Sequence, residues 1–415
     1  LFYLSAVVVL VRAERDGRDL PGVLLVLALA WAVMLRVGLL ATTPSLSDDV
    51  YRYVWDGKVI AAGIDPYAYP PAAPELSALR DPLWNGINHK EMRTPYPPLA
   101  EVLFAAVYHL APGAVAGMQA GAVLFDLGVI LVIIGLLARL GLKRWRVLIY
   151  AWNPLVLVQF AHSGHFDSAM LLSLLGAVLL IASGRRLLSG VTLGVSVLTK
   201  LVPAMLGPLF LPFWGVAGTV AAGATVIAGT APLIGQPALA GVLTEASDAR
   251  FNDSAGFLLV RLLSPATPNA EAIARTGASA LVALTSLTLG ALLWRRRASW
   301  REVPGAIYAV IGLFIVMNAV VEPWYLTWIV PFLCFAIPSG SLPGGWRAPS
   351  WGWLLLSGTV MLTDLTYSAS FDRGTWLWVR VAEYGPLFCL LLLWAAGRVV
   401  QGRAPRAAGT TPAVE

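Results

Sequence analysis

The sequence predicts an all-α polytopic membrane protein, and three observations carry that prediction. Of its 415 residues 58% are hydrophobic and only 13% charged, with a mean hydropathy of +0.74, which leaves too little polar surface for a soluble chain of this size. Apolar runs long enough to cross about 30 Å of hydrocarbon recur from one end to the other. The Lys and Arg residues fall in short clusters between those runs, where they act as topology signals. The net charge of +6 therefore does not indicate a nucleic-acid partner. Cys334 and Cys389 lie inside apolar runs and read as small hydrophobes, with no disulfide framework or metal-binding cysteine pattern.

The elements follow in order, with the positive-inside rule setting the side of each loop. LFYLSAVVVLV reads as the tail of a truncated first helix over residues 1–12, because no basic n-region or cleavage site accompanies it. Arg12 to Asp19 is cytoplasmic and Leu20 to Leu40 crosses outward. Residues 41–98 form a long first extracytoplasmic loop with short interfacial helices, since Pro-rich irregular backbone cannot cross lipid. Leu99 to Leu110 is brief, carries Glu101 and His109, and reads as re-entrant or interfacial. Ala116 to Leu142 returns to the KRWR cluster, Lys143 to Arg146. Val147 to Ala161 goes out to HSGHFD, His162 to Asp167, and Ser168 to Ala182 comes back to Gly184–Arg186.

In Gly190 to Phe213, Lys200 sits mid-run and Pro203 just after it. Proline removes a helix hydrogen bond and biases its predecessor away from helix, so two short helices meet near Lys200 on the extracytoplasmic half. Ala217 to Ile234 leads out to a second polar loop, residues 235–256, with Leu258 to Leu263 along the surface. Gly277 to Leu293 runs in to Trp294–Arg301, the strongest basic cluster. Gly305 to Val321 goes out and turns at Glu322-Pro323-Trp324-Tyr325; Leu326 to Ile337, Trp351 to Leu365 and Trp376 to Trp394 complete the bundle. This amounts to about twelve to thirteen crossings in a single transmembrane domain over 1–400, followed by a disordered cytoplasmic tail over 401–415.

One stretch stands out chemically: SDDVYRYVWDGKVIAAGIDPYAYPP, Ser47 to Pro71, directly after an apolar run. Ser47 is a good N-cap, Asp48 and Asp49 suit the positive end of a helix dipole, and Gly63 with Pro66 supplies the stop, so one helix of about four turns is predicted. Its Tyr51, Tyr53, Trp55, Tyr67 and Tyr69 are rings of the kind that settle at a membrane interface. Nearly all acids, histidines and polar aromatics outside the basic clusters share its side: Asp48, Asp49, Arg52, His89, Tyr96, His162, His165, Asp167, Lys200, Arg250, Asn252, Asp253, Glu322 and Tyr325. Charges near a bilayer are costly and by default mark a site. The plainer readings are that the two acids only serve the helix dipole, that Arg52 pairs with Asp48 one turn away, that Lys200 snorkels to a headgroup, and that Trp324 and Tyr325 anchor at the interface. His162, His165 and Asp167 on one short turn are a weak zinc signal. Asp126, inside an apolar span, reads as a hydrogen-bonded interhelical residue.

The same stretch, followed by INHKEMRTPYPP, YAWNPLVLVQFAHSGHFDSAMLL, LGVSVLTKLVPAMLGPLFLPF, the FNDS loop and VEPWYLTWIVPF, resembles in order and spacing the polyprenyl-phosphate-sugar-dependent membrane glycosyltransferases of the GT-C fold. It is close to the bacterial mannosyltransferases of glycosyltransferase family 87. IDPY, where relatives often have Asn before the Pro, and Gln159, where an acid is common, depart from that pattern. The resemblance implies a GT-C-like bundle in the cell inner or plasma membrane with its site facing away from the cytoplasm. The implied donor is a hexosyl group, with mannose the family prior, carried on polyprenyl phosphate in the membrane lipid, and the implied acceptor is a glycan or glycolipid.

An aliphatic hydroxyl needs a carboxylate to take its proton, a role the resemblance gives to Asp48 or Asp49. The departing phosphate needs positive charge, from Lys200 and Arg52 first and Arg250, His162 and His165 second. Tyr53, Trp55, His89, Tyr96, Asp167, Asn252, Glu322 and Tyr325 are the candidate substrate contacts. No Gly-rich nucleotide loop is present, and no cofactor is required, although the two acids could hold a divalent cation. A transporter or flippase should show inverted repeats with paired broken helices, whereas one interrupted run is visible. A lipid-linked oligosaccharide ligase should carry a larger late loop.

Overall fold

The computed structural model describes residues 2–233, 252, 254–337, 341–342, 346–347, 350–367 and 373–403. Among these residues the architecture is all-helical apart from a two-residue antiparallel pairing of Ser341–Leu342 with Trp346–Arg347. The helices are α1 Phe2–Arg15, α2 Gly22–Leu40, α3 Asp49–Ala61, α4 Pro98–Leu110, α5 Val115–Leu140, α6 Leu148–Ala151, α7 Pro154–Leu157, α8 Asp167–Ala182, α9 Arg186–Thr199 and α10 Gly207–Thr230. They continue with α11 Ala255–Leu263, α12 Ala270–Arg295, α13 Val303–Met317, α14 Val330–Ala336, α15 Ser350–Thr359 and α16 Arg373–Arg403.

Among the described residues six helical stretches are long and apolar enough to cross a membrane, or seven if the pair Pro154–His162 and Asp167–Ala182, bent by 120°, makes one crossing. This makes the chain a polytopic membrane protein. The apolar runs read from sequence are more numerous than these long helices because several are assembled from short pieces. Asn153 and Pro154 split the run after the KRWR cluster, and its end is wound as a π-helix over Val158–His162. The Glu322-Pro323 turn opens a 3-10 segment, Pro323–Trp328, before the seven-residue α14.

The core is built on close backbone approach. On α5 a Cβ at Gly128 would lie 2.9 Å from Leu172, and Gly121 and Gly135 face Phe166 and Leu179, so α5 and α8 run parallel. The chain then returns antiparallel: Ser189 Oγ donates to the Ala177 carbonyl (2.8 Å) and Ser196 Oγ to that of Met170 (2.9 Å). At Lys200 the backbone becomes extended (φ −155°, ψ 136°) and α9 stops, as the sequence predicts.

The stretch from Val202 to Thr230, one of the six, is not straight. Gly190, Gly194 and Leu198 on α9 face Gly218, Thr225 and Gly229 in that order, so residues 216–230 run parallel to α9. Gly207 to Trp214 must double back first, and the reversal falls at Gly215 (φ 61°, ψ −167°). That conformation lies in a region of backbone space open essentially to glycine alone.

Inside the bundle the Arg36 guanidinium of α2 donates to Asp126 of α5 at 2.5 Å, and Tyr150 OH donates to the other carboxylate oxygen at 2.7 Å. Both charged side chains are 0% exposed. Asp126 is thus the interhelical residue expected, and its cation, Arg36, is what makes it tolerable.

The two ends of the bundle differ in chemistry. At one end Lys143 pairs with Asp19 (2.6 Å), Arg146 with Glu14, and Arg301 donates to the Leu140 and Arg139 carbonyls, bringing three of the basic clusters together. The opposite end carries α3, α4 and the loop between them. This loop is fastened by Trp55 and Val59 packing on Leu76 and Ile87, and by Lys58 Nζ at 2.7 Å from Asp81.

Candidate active site

Helix α3 begins one residue later than an N-cap at Ser47 would place it. Asp48 occupies the cap position without a side-chain cap bond, and Ser47 Oγ accepts from Asp49 N at 3.3 Å. The helix ends as predicted at Gly63 (φ 77°), where Gly63 N donates to Ile60 O and Ile64 N to Val59 O, the two bonds of a Schellman cap. Asp48 is exposed. Asp49, one residue on, is turned inward: its side chain is 20% exposed and its Oδ2 lies 3.8 Å from His165 Nδ1, while Asn88 Nδ2 donates to Oδ1 at 3.4 Å. Helical spacing then puts Tyr53 on the same face, its OH 3.2 Å from the same His165 nitrogen.

His165 comes from the tight turn before α8, closed by Gly164 at φ 75° and by a bond from His165 N to the Gln159 carbonyl (3.0 Å). Its ring is 0% exposed and stacks on Trp324, with centroids 4.1 Å apart and planes at 24°. Two residues on, Asp167 Oδ1 accepts from Lys200 Nζ (2.7 Å) and from Trp328 Nε1 (2.6 Å). The Lys200 ammonium also lies 5.1 Å from the ring centres of both Tyr325 and Trp328, which stack on each other at 4.3 Å. Lys200 is therefore held by a carboxylate and two aromatic faces, with its side chain 26% exposed. Asp49, Tyr53, His165, Asp167, Lys200, Trp324, Tyr325 and Trp328 thus form one continuous set of contacts, drawn from α3, the turn before α8, the α9 break and the Pro323–Trp328 turn.

Other predicted residues lie elsewhere or have different partners. Arg52 does not pair with Asp48 and does not join Lys200; it faces into the α3–α4 layer, where Nε binds both oxygens of Asp56 (2.9 and 3.0 Å) and Nη1 donates to the Met92 carbonyl. Glu101 of α4 joins that layer and accepts from Thr94 Oγ1 at 2.6 Å. Burial pushes the Asp56 carboxyl up against the pull of Arg52, and pushes Glu101 well above the carboxylate range, with Asp56 adding to the rise. Tyr96 packs edge-on to Tyr53 at 5.2 Å and so connects the two layers. Trp55 is an anchor for the loop. His89 is exposed, with φ 45°.

His162 holds the segment before α3: Thr42 Oγ1 is 2.8 Å from Nδ1, and Ser45 N donates to Nε2 at 3.1 Å. Glu322 caps the Pro323–Trp328 turn, its carbonyl accepting from Tyr325 N. Asn252 is buried against α16, its carbonyl accepting from Tyr384 OH at 2.8 Å. Arg250 and Asp253 lie outside the described residues. Among the described residues no group of three or more His, Cys, Asp or Glu side chains is disposed to hold a metal ion.

Sequence reasoning missed Asp56 and Trp328. Asp56 was available as the i,i+4 partner of Arg52. Trp328 sits in an apolar run, and nothing local marks its indole N–H as a ligand for Asp167. Residues 2–219 match the profile of a family described as alpha-(1->6)-mannopyranosyltransferase, N-terminal domain. No curated protein matches the chain.

Proposed function

The chain belongs to the alpha-(1->6)-mannopyranosyltransferase family and is a membrane glycosyltransferase, and from that premise we propose that it moves a mannosyl residue from a polyprenyl-phosphate-linked sugar to a glycan or glycolipid hydroxyl on the extracytoplasmic face. Asp49 is the general base of this reading. Its carboxylate combines partial access with an inward orientation, whereas Asp48 is exposed at the cap. It takes the acceptor proton as the oxygen attacks the anomeric carbon, which is where a carboxylate within hydrogen-bond reach lowers the barrier. The leaving group is a phosphate anion and needs a cation near the oxygen that receives the electron pair. Lys200 fills that role by exchanging part of its contact with Asp167 for the phosphate. Trp324 and Tyr325 are half-buried beside His165 and Lys200, where a sugar ring finds apolar faces.

The observation that carries the proposal is the contact chain from Asp49 through His165, Trp324 and Tyr325 to the Asp167–Lys200 pair. It joins a base and a phosphate-binding cation that are far apart in sequence. The test uses purified protein in lipid with polyprenyl-phosphate mannose and a glycan acceptor. Asp49→Asn is expected to lower kcat by about 10²–10⁴-fold while Asp48→Asn keeps most of the activity, and Lys200→Met is expected to raise the KM for the donor. A fully active Asp49→Asn removes the base assignment. Transfer from a nucleotide sugar in place of the lipid donor removes the donor assignment.

A further inference from the structure

His165 is left over from that scheme. It is 0% exposed, its Nδ1 edge meets Asp49 Oδ2 at 3.8 Å and Tyr53 OH at 3.2 Å, and its Nε2 finds no hydrogen-bonding partner among the described residues. A buried ring nitrogen without a partner is costly unless something else satisfies it. The charged and titratable groups around the ring are Asp49 and Tyr53 from α3, Asp167 from the helix it precedes, and Lys200 from the α9 break. The ring therefore has the base at its Nδ1 edge and the Asp167–Lys200 pair close enough to act on its charge.

We infer that His165 carries the acceptor's proton from Asp49 to the departing phosphate, an inference that rests on the reading of Asp49 as base and Lys200 as phosphate ligand. In this scheme the Tyr53 OH, 3.2 Å away, donates to Nδ1 at rest, which leaves the ring proton on Nε2. As the acceptor oxygen bonds to the anomeric carbon, the bond from that carbon to the phosphate oxygen breaks and its electron pair leaves with the phosphate. The acceptor proton passes to Asp49. The 3.8 Å separation exceeds a hydrogen bond but is closed by a small rotamer change or one water, so Nδ1 takes the proton as Nε2 gives its own to the phosphate. The products are the glycoside and a singly protonated polyprenyl phosphate. Burial holds the His165 imidazole below its usual range, so the ring keeps no second proton at rest and gives one up readily to a phosphate monoester. The Trp324 face stacked on the ring fixes its plane during the transfer. Tyr53 acts as a positioning residue that fixes the tautomer.

The experiment compares His165→Gln, Tyr53→Phe, Asp49→Asn and the unaltered protein in lipid, following transfer from polyprenyl-phosphate mannose across pH, with polyprenyl phosphate binding measured separately. His165→Gln is expected to lose about 10²-fold in kcat with its affinity for polyprenyl phosphate kept, and to lose the pH limb and solvent deuterium effect of the unaltered enzyme. A His165→Gln variant with the unaltered rate and profile, while Asp49→Asn is inactive, overturns the relay alone. A fully active Asp49→Asn overturns the underlying base assignment instead. Should His165→Gln fail to bind the lipid phosphate, Tyr53→Phe carries the test, and an unshifted pH profile in it overturns the relay.

Discussion

Asp56 and Glu101 are each 2% exposed and share one guanidinium, that of Arg52. Two buried carboxyls against one cation cannot both be ionised cheaply. Both are accordingly pushed above their usual range, and the folded state keeps a proton that the unfolded chain releases. The sign follows from linkage: where the folded form binds more protons, stability is fully present below the unfolded pKa and is lost as pH rises toward the folded one. Glu101→Gln keeps the acceptor for Thr94 and has no proton to lose. Its melting temperature in detergent should therefore change less than that of the unaltered protein between pH 5 and 8, the stability difference growing by about 1.4 kcal/mol per pH unit at most. An equal decline in both would refute the shared proton. At this scale the sequence was legible where chemistry was local. Asp48 and Asp49 stood out together as acids in the first turn of a helix, with nothing local to separate them, and the pairing of Arg52 required only a choice between i−4 and i+4, which burial of Asp56 decides. The Lys200–Asp167–Trp328 junction joins three segments and has no local signature.

Helix α3 owes its position to a single missing side chain. A Cβ on Gly57 would lie 2.7 Å from the Phe104 carbonyl oxygen and 2.9 Å from Tyr108 Cβ, and neither the α4 backbone nor a Cβ can yield by rotamer change. Gly57→Ala should therefore push α3 off α4, at about 1–3 kcal/mol, and lower transfer because the displaced helix carries Asp49. Gly63→Ala is the control: its φ of 77° makes it strained, but nothing lies within 4 Å of the added methyl, so it should cost about 1 kcal/mol and leave turnover nearly intact. Thermal melts with parallel activity assays separate the two, and equal activity losses would show that the α3–α4 approach does not position the site. Element boundaries were legible wherever Gly or Pro marks them: the Gly63 stop, the Lys200 break ahead of Pro203, and the gap between Phe213 and Ala217 that falls on the Gly215 reversal. Crossings built from several short helices were not, because an apolar run has the same composition whether it is one helix or four pieces.

Across the described residues, the basic clusters that separate the apolar runs gather at one end. Glu14, Asp19, Lys143, Arg146 and Arg301 meet at one pole, while α3, its loop and the Asp49–Lys200 constellation lie toward the other. Buried ion pairs such as Arg36–Asp126 do not disturb that division, since they are neutral as a pair and bind helices to one another. Cationic loops are retained in the cytoplasm during insertion, so the proposed orientation puts the basic pole in the cytoplasm and the Asp49 end outside. Thiol labelling tests this directly. Cys334 is fully buried and Cys389 is exposed, so Cys389→Ser supplies a background in which a new cysteine is the reactive one. In intact cells a membrane-impermeant maleimide should modify Glu75→Cys, on the 3-10 turn Pro74–Leu79, and should spare Arg144→Cys and Arg296→Cys until the membrane is opened. The reverse pattern would put the Asp49 end in the cytoplasm. The donor lipid would then have to present its sugar there, in the compartment that holds nucleotide sugars, and a polyprenyl carrier would no longer be needed to bring the sugar across the bilayer.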